Sequence, residues 1–577
     1  MAGFIRVVAT DFDGTLSTHG RRPEPEVLAA RAQVRSAGVT VLLVTGRILS
    51  ELVEDFPDVD EHVDAIVAEN GAVLRHRGED RPLTAPLDPV LPEALRTAGI
   101  PFRQGRVLLA TWSEHAVAVL REIRVLGLDA QLVYNRAALM VLPAGVTKGT
   151  GVYEALGELG ISHHSALGIG DAENDHPLLD VCEIGVAVGN AVPALKRHAD
   201  VVLDRPAGDG VRDLLDGPLL QGTGRVHSGR WRLVLGTGPD GTPVELPSSQ
   251  VNLLVCGESG AGKSAVAGLL AERLTALHYS VLLVDPEGDH GGLARLRGVV
   301  AVDARDGLPA PDRIVQRCAH RFSSVVLDLS SLSPAETRDY LPHLIAAVHD
   351  ARRETGLPHW LFLDEAQSLA DHSAQLADRA LSGDRGCCLV TWQPGSLAPE
   401  VLAATDAVVV VPLAGWASAE TLHAAAAVSG APADEIGRRL SRLSPQQVLL
   451  AAAPEYGGVV PVTVPQPVSG YVRHRHKYAT QQVRTDRRFH FRDGRDRPAG
   501  TAGSMRQLCD VLRDCEASVI RHHAEGGDLA RWIRGVFRDR VLADQVAEVE
   551  RAVAAGHLPP DTARDRLVTA VAARYPA

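Results

Sequence analysis

Ala9–Ser17 reads ATDFDGTLS. It follows Ile5-Arg6-Val7-Val8 and sets two carboxylates, Asp11 and Asp13, just past the end of a short β-branched strand. In open α/β sheets, ligands bind beyond the carboxyl ends of the strands. Asp11 can attack phosphorus and become an aspartyl-phosphate. Asp13 can protonate the leaving oxygen and later take a proton from water. Gly14 permits the tight turn between strand and loop. Alone, this motif is also an ordinary strand-end turn; three further stretches supply matching chemistry. TVLLVTGR (Thr40–Arg47) ends a strand with Thr45 and Gly46, a hydroxyl and an open backbone for phosphate oxygens. VTKG brings Lys148, a cation for the charged intermediate. LGIGDAENDH (Leu167–His176) ends a strand with Asp171, Asn174 and Asp175, hard oxygen ligands of the kind Mg²⁺ takes.

Outward from this motif, short β-branched runs alternate with helical stretches from Phe4 to about Arg205. That alternation predicts a parallel sheet with helices on both faces. Between about Leu74 and Pro143 the rhythm changes to proline-rich turns and extra strands, as expected of an inserted second layer. The four elements in this order resemble the haloacid dehalogenase (HAD) superfamily of phosphatases, most of all its Cof-type or IIB branch, which carries an α/β cap. VAENGAVL, VLPAGVTKGTG and VAVGNAVPALKRHADVV are similar to that branch too. The resemblance implies a Rossmann-like core with Asp11 as nucleophile and Asp13 as general acid/base. It implies Thr45, Gly46, Lys148 and Asn174 at the phosphate, and Mg²⁺ held by Asp11, Asp13, Asp171 and Asp175, with Asp175 also supporting Lys148. The cap sets specificity in that branch. His163 and His164 read as a solvated turn with no role.

Val251–Ser264, VNLLVCGESGAGKS, opens a second α/β run. Its strand, glycine-rich loop and following helix fit a phosphate-binding loop made of Gly257, Glu258, Ser259, Gly260, Ala261, Gly262, Lys263 and Ser264. Backbone N–H groups surround phosphate, Lys263 reaches the β/γ oxygens, and Ser264 holds Mg²⁺. Between Asp328 (SVVLDLS) and Asp364 (WLFLDEAQ), the second is preferred as the metal-proximal aspartate, because Glu365 follows it and can orient a water. Gln393 ends the next strand and is placed to sense the γ-phosphate. Asp328 reads as structural; for Asp285, a nucleotide-facing and a turn-capping reading stay open. The ordered motifs resemble the HerA/FtsK-like motor ATPases, with a RecA-like α/β core. That resemblance implies hydrolysis of ATP, a homohexameric ring, and an arginine supplied in trans, Arg385 or its rival Arg379.

The chain has 577 residues and a net charge of −12, 45% hydrophobic and 23% charged. These are ordinary for globular protein and exclude a surface basic throughout, though not a local basic channel. The seven cysteines form no CxxC pair and read as reduced core residues of a cytoplasmic protein. Apolar runs are too short to span a bilayer. The N-terminus enters a strand at once, without a signal-peptide layout. Four regions are expected. Residues 1–215 form the phosphatase, with its cap at about 74–143. Residues 216–250 form a linker and a β-hairpin entry to the ATPase, and 251–466 the ATPase. Residues 467–577 form a basic segment and a mostly helical C-terminal region. In VRHRHKYATQQVRTDRRFHFRDGRDR, Tyr478, Phe489 and Phe491 interleave with cations. One reading binds DNA or RNA; the other is a charged strand pair. The expected function is a phosphomonoester hydrolase fused to a ring motor in nucleic-acid end processing or handling. The alternatives are a small-metabolite phosphatase with the ATPase as scaffold or regulator, and a polynucleotide kinase–phosphatase.

Overall fold

A computed structural model describes residues 4–18, 21–381, 385–444, 446–469, 475–537 and 539–575. The first sheet begins with β1 (Val7–Asp11), β2 (Thr40–Val44), β3 (Ala65–Ala68), β4 (Val73–His76) and β5 (Glu79–Pro82). The chain then leaves it to build a four-stranded antiparallel cap from β6 (Arg103–Gln104), β7 (Leu109–Trp112), β8 (Ala130–Asn135) and β9 (Ala138–Pro143). It returns as β10 (Ala166–Gly170), β11 (Ile184–Ala187) and β12 (Val201–Val202), giving the order β12-β11-β10-β1-β2-β3-β4-β5. β12 through β3 run parallel, and β4 and β5 extend the sheet antiparallel. The inserted layer therefore starts after Pro82 rather than near Leu74. The cap has its own small core, in which Leu91, Leu95, Val119 and Ile123 pack on Leu139 and Val141.

The second sheet has eleven strands: β13 (Arg232–Thr237), β14 (Pro243–Pro247), β15 (Asn252–Cys256), β16 (Val281–Asp285), β17 (Val299–Asp303), β18 (Ser324–Asp328), β19 (Trp360–Leu363), β20 (Cys387–Thr391), β21 (Ala407–Val410), β22 (Gln447–Ala452) and β23 (Val459–Thr463). Their order is β14-β13-β23-β22-β21-β15-β20-β19-β16-β18-β17. The stretch from β17 to β21 is parallel and, inside the part-exposed edge strand β17, covered on both faces, so β15, β16, β18, β19, β20 and β21 are buried along their whole length. The β13–β14 hairpin, expected as the entry to the ATPase, joins its sheet through β23.

The C-terminal region pairs a hairpin, β24 (Phe489–Arg492) and β25 (Pro498–Ala502), with helices Met505–Asp514, Ala517–Gly526, Arg540–Ala554 and Pro560–Arg574. Phe489 and Phe491 are buried against His523, and Phe489 also meets Trp532. Tyr478 stands edge-on to Phe537, with ring centroids 4.9 Å apart. Phe489 and Phe491 are core and Tyr478 packs against it, which accords with the charged strand pair of the two readings. Arg492 and Arg497 pair with Asp496 and Asp493. Residues 470–474 of the basic stretch lie outside the described residues.

The first two domains meet through a buried polar joint. Glu183 accepts from Tyr279 Oη at 2.8 Å and from Ser249 Oγ, and its Oε2 lies 2.7 Å from His164 Nδ1. His164 stacks on Tyr279 with centroids 3.7 Å apart, and its Nε2 donates to the Leu277 carbonyl at 2.9 Å. A carbonyl only accepts, so Nε2 is the donor in that bond. His163 and His164 are therefore buried, not a solvated turn. Arg230 pairs with Asp200 at 2.7 Å, and Trp231 Nε1 donates to the Cys182 carbonyl. Every group of the Glu183 cluster precedes a strand: His164 before β10, Glu183 before β11, Ser249 before β15, Tyr279 before β16. The two sheets thus meet at their amino ends, and their carboxyl edges face away from each other.

Candidate active sites

At the carboxyl edge of the first sheet, Lys148 Nζ lies 2.5 Å from Asp11 Oδ1 and 2.6 Å from Asp175 Oδ1. Lys148 opens the helix Lys148–Leu159, whose N-cap Thr147 and Thr150 form a reciprocal capping box. That helix start fixes the lysine backbone beneath the sheet edge. Burial disfavours the ammonium, yet Asp11 and Asp175 overcome it and hold its pKa above the ordinary value. Asp11 is pushed well up by burial, then by the charge of Asp175, against the pull of Lys148. Asp171 is raised by burial and by Asp175, against Arg136 and Thr15. Ligand oxygens of Asp11, Asp171 and Asp175 all lie within 4.8 Å of one another. Three buried carboxylates against one lysine and one cap arginine leave negative charge in excess, and a divalent cation fits that set. Asp175 Oδ1 is taken by Lys148, while its Oδ2 accepts from the N–H groups of Asp171 and Ala172 at 2.8 and 2.9 Å. Its part is to hold the lysine and the loop, leaving Asp11 and Asp171 to face a metal.

Asp13 stands apart from that trio. Arg47 grips it through two bonds, Nε–Oδ2 at 2.7 Å and Nη2–Oδ1 at 2.6 Å. With both carboxylate oxygens taken by Arg47, proton transfer by Asp13 to a leaving group requires the pair to open. Thr45 is fully buried at the end of β2, and Gly46 follows it under Met140 of the cap. Asn174 Nδ2 donates to Asn70 Oδ1 at 3.0 Å, and Asn70 sits at φ 56°. A Cβ on the adjoining Gly71 would lie 1.9 Å from the Thr147 carbonyl, so this turn packs directly on the lysine loop. Glu69 was not foreseen. Fully buried, it accepts from the backbone N–H groups of Arg106, Val107 and Leu108 and ties the core to the cap. Arg136 was also missed: from the β8–β9 turn it ion-pairs with Asp171.

At the carboxyl edge of the second sheet, the phosphate loop connects β15 to the helix Lys263–Ala276. Gly257 (φ 147°) leaves no room for a side chain, because a Cβ would lie 2.1 Å from the Val411 carbonyl. Gly260 and Gly262 also have positive φ, as a loop that turns its N–H groups inward needs. Glu258, Ser259 and Ala261 complete the loop, and Lys263 Nζ donates to the Glu258 carbonyl at 3.1 Å. Asp364 follows β19, with Ser264 and His290 hydrogen-bonded to its carboxylate, which together with the His290 charge hold its pKa low against burial. Serine and aspartate therefore share the position expected for Mg²⁺. Glu365 is raised by burial and by Asp364. Its Oε2 accepts from Gln367 Nε2, and Gln367 Oε1 accepts from Thr391 at 2.8 Å. Gln393 follows β20 on the same edge. Asp285 accepts from the N–H groups of Gly288 and His290, and Asp328 from Ser330, so both cap turns.

Arg385 is one of the two candidates for the arginine supplied in trans. It precedes β20, at the amino end of the sheet, away from the phosphate loop. Its guanidinium is committed to Asp406 and the Ala404 carbonyl. Arg379 lies in the preceding helical turn, half-buried.

Two family models match the chain. One, described as haloacid dehalogenase-like hydrolase, covers residues 8–90 and 130–215. The other, described as AAA domain, covers residues 247–397. Among curated proteins, the phosphoglycolate phosphatase of Methanothrix thermoacetophila is 31% identical over 220 residues, 37% of this chain and 96% of that protein. The phosphoglycolate phosphatase of Methanothermobacter thermautotrophicus is 28% identical over 216 residues, 36% of this chain and 96% of that protein. Among solved structures, a HAD subclass IIB sugar phosphatase matches with a TM-score of 0.32 and 20% identity, covering 37% of this chain and 99% of that one.

Proposed function

The chain belongs, through its first 215 residues, to the haloacid dehalogenase-like hydrolases, carries an AAA-type ATPase domain behind them, and is both a phosphatase and an ATPase; from that premise we propose that the phosphatase acts on a small phosphorylated metabolite. The observation that carries this reading is the closed site. Asp11, Lys148 and Asp171 lie under a cap that Glu69 pins to the core and that reaches Asp171 through Arg136. Such a lid favours a diffusible substrate over a polymer end. The curated relatives, matched over nearly their whole length, are named for phosphoglycolate.

In the reaction, an Asp11 carboxylate oxygen forms a bond to phosphorus while the bond from phosphorus to the ester oxygen breaks. Asp13, released from Arg47 and protonated, gives its proton to the departing oxygen. Asp13 then takes a proton from water, the water oxygen attacks phosphorus, and the bond to Asp11 breaks to free phosphate. Lys148 holds Asp11 in line and balances the charge that develops, and Thr45 and Asn174 orient the phosphate oxygens. Mg²⁺, held by Asp11 and Asp171, would draw negative charge off those oxygens. In the ATPase, Lys263 and the loop amides hold the phosphates, with Ser264 and Asp364 toward Mg²⁺. Glu365 takes a proton from the attacking water. A cytoplasmic location accords with seven buried, unpaired cysteines. Among the described residues, no helix is long and apolar enough to cross a membrane.

The test is a substrate panel run with two variants. Asp11→Asn should abolish hydrolysis of small phosphomonoesters, by about 10³-fold or more, and leave ATP hydrolysis intact; Lys263→Ala should do the reverse. Hydrolysis of 3′- or 5′-phosphorylated oligonucleotides in preference to phosphorylated acids and sugars would overturn the reading and favour nucleic-acid end processing. Transfer of the γ-phosphate to a 5′-hydroxyl end would favour a kinase. A HerA-like homohexameric ring, proposed on motif resemblance, is tested by mass measurement with ATP and Mg²⁺. DNA handling is tested by whether DNA stimulates ATPase in a salt-sensitive way.

A further inference from the structure

We propose that Arg136 is the residue by which the cap reads a second anionic group, so that the phosphatase takes small phosphomonoesters with a carboxylate close to the ester; this rests on the phosphatase reading above. The pairing Asn135↔Ala138 leaves a two-residue turn, Arg136 and Ala137, at the tip of the β8–β9 hairpin. Arg136 sits there at φ 53°, as tight hairpin turns require. Its guanidinium ion-pairs with Asp171, which is fully buried, while the arginine side chain is 55% exposed. Its backbone N–H lies 3.5 Å from Glu173. A cation carried by the cap thus reaches into the core site through its mouth.

The groups expected at the phosphate, Thr45, Lys148 and Asn174, all belong to the core. Arg136 comes from the cap instead and would meet a group carried on the ester oxygen. The bond to Asp171 runs through Nη2, and the guanidinium carries further N–H donors for a substrate group. A carboxylate matches its forked donors; a neutral substituent leaves the cation unpaired. A site that leaves its own polar group unpaired rejects the wrong ligand strongly. Distance limits the length of the substrate. Asp171 lies within 4.8 Å of Asp11, measured between ligand oxygens, and Arg136 touches Asp171. The second anion therefore stands near the reacting phosphate, which favours a short skeleton between the two charges.

The experiment compares 2-phosphoglycolate with 2-hydroxyethyl phosphate, which has the same skeleton without the charge. The full-length wild type should favour the carboxylate by about tenfold or more in kcat/KM. Arg136→Ala should bring that ratio close to one, and Arg136→Lys should restore part of it. Equal losses on both substrates would make Arg136 a ligand of the phosphate or a cap latch and overturn the proposal, as would a wild type without preference. A binding arm separates the two readings. In the inert Asp11→Asn protein, calorimetry should show 2-phosphoglycolate binding weakened by Arg136→Ala at least about tenfold more than 2-hydroxyethyl phosphate binding. If the wild type hydrolyses no monoester, the phosphatase reading falls, and this arm still decides the role of Arg136.

Discussion

Glu365 occupies the left-handed region at φ 52°, where a non-glycine residue is uncommon and often functional. The turn aims its carboxylate along the sheet edge, and Gln367 fixes it there while accepting from Thr391 on β20. Glu365→Gln keeps the shape and removes the base, so ATP hydrolysis should fall by about 10²–10⁴-fold while nucleotide binding persists. Filter binding beside a phosphate-release assay checks this; normal turnover would move the base elsewhere. Because burial and Asp364 raise the Glu365 pKa, activity should also fall on the acid side sooner than an ordinary carboxylate predicts. Asp11, Lys148, Lys263 and Asp364 were legible in sequence because each follows a strand or opens a helix, where local pattern and chemistry coincide. Gln367, His290, Glu69 and Arg136 were not. Each acts on a group that only the tertiary fold brings near, so spacing along the chain carries no trace of the pairing.

Among the elements, the parallel strands were the most legible, since burial on both faces writes itself as continuous apolar runs. The ends of the insertion were less so, because β4 and β5 carry polar residues on an exposed sheet edge and read like the start of another layer. In the C-terminal hairpin, Phe489 and Phe491 occupy alternate positions, the mark of one buried strand face, but the arginines around them obscured it. The helices behind that hairpin contain a titratable cap. Glu550, on the helix Arg540–Ala554, accepts from the N–H groups of Leu529 and Ala530 at the start of the helix Asp528–Trp532. Burial outweighs those bonds and lifts its pKa from 4.5 to about 7. A carboxyl raised on folding favours the native state fully below its unfolded value, and that contribution is lost as pH rises through the folded one. The C-terminal region should therefore lose about 3 kcal/mol between about pH 4.5 and pH 7. Glu550→Gln should flatten that dependence, read by amide hydrogen exchange of the C-terminal helices across this range. An unchanged slope would assign the titration to another group.

At the scale of the whole molecule, the joint around Glu183 makes the two catalytic domains one body. Tyr279, Ser249 and His164 all depend on that carboxylate, so Glu183→Ala strands three buried partners. Breaking a buried pair by removing one member costs about 3–5 kcal/mol. In calorimetry, the wild type should unfold these two domains in a single transition, and Glu183→Ala should split it into two at lower temperature. A variant that still melts in one step would show that apolar contacts alone hold the domains together. The back-to-back join also bears on kinetics. Both reactions end in inorganic phosphate, and each domain releases it from an edge that faces away from the other. Phosphate shed during rapid ATP turnover must mix with the bulk before it can reach Asp11. Product inhibition of the phosphatase should therefore track the concentration of phosphate in solution and be indifferent to how fast the neighbouring ATPase is running.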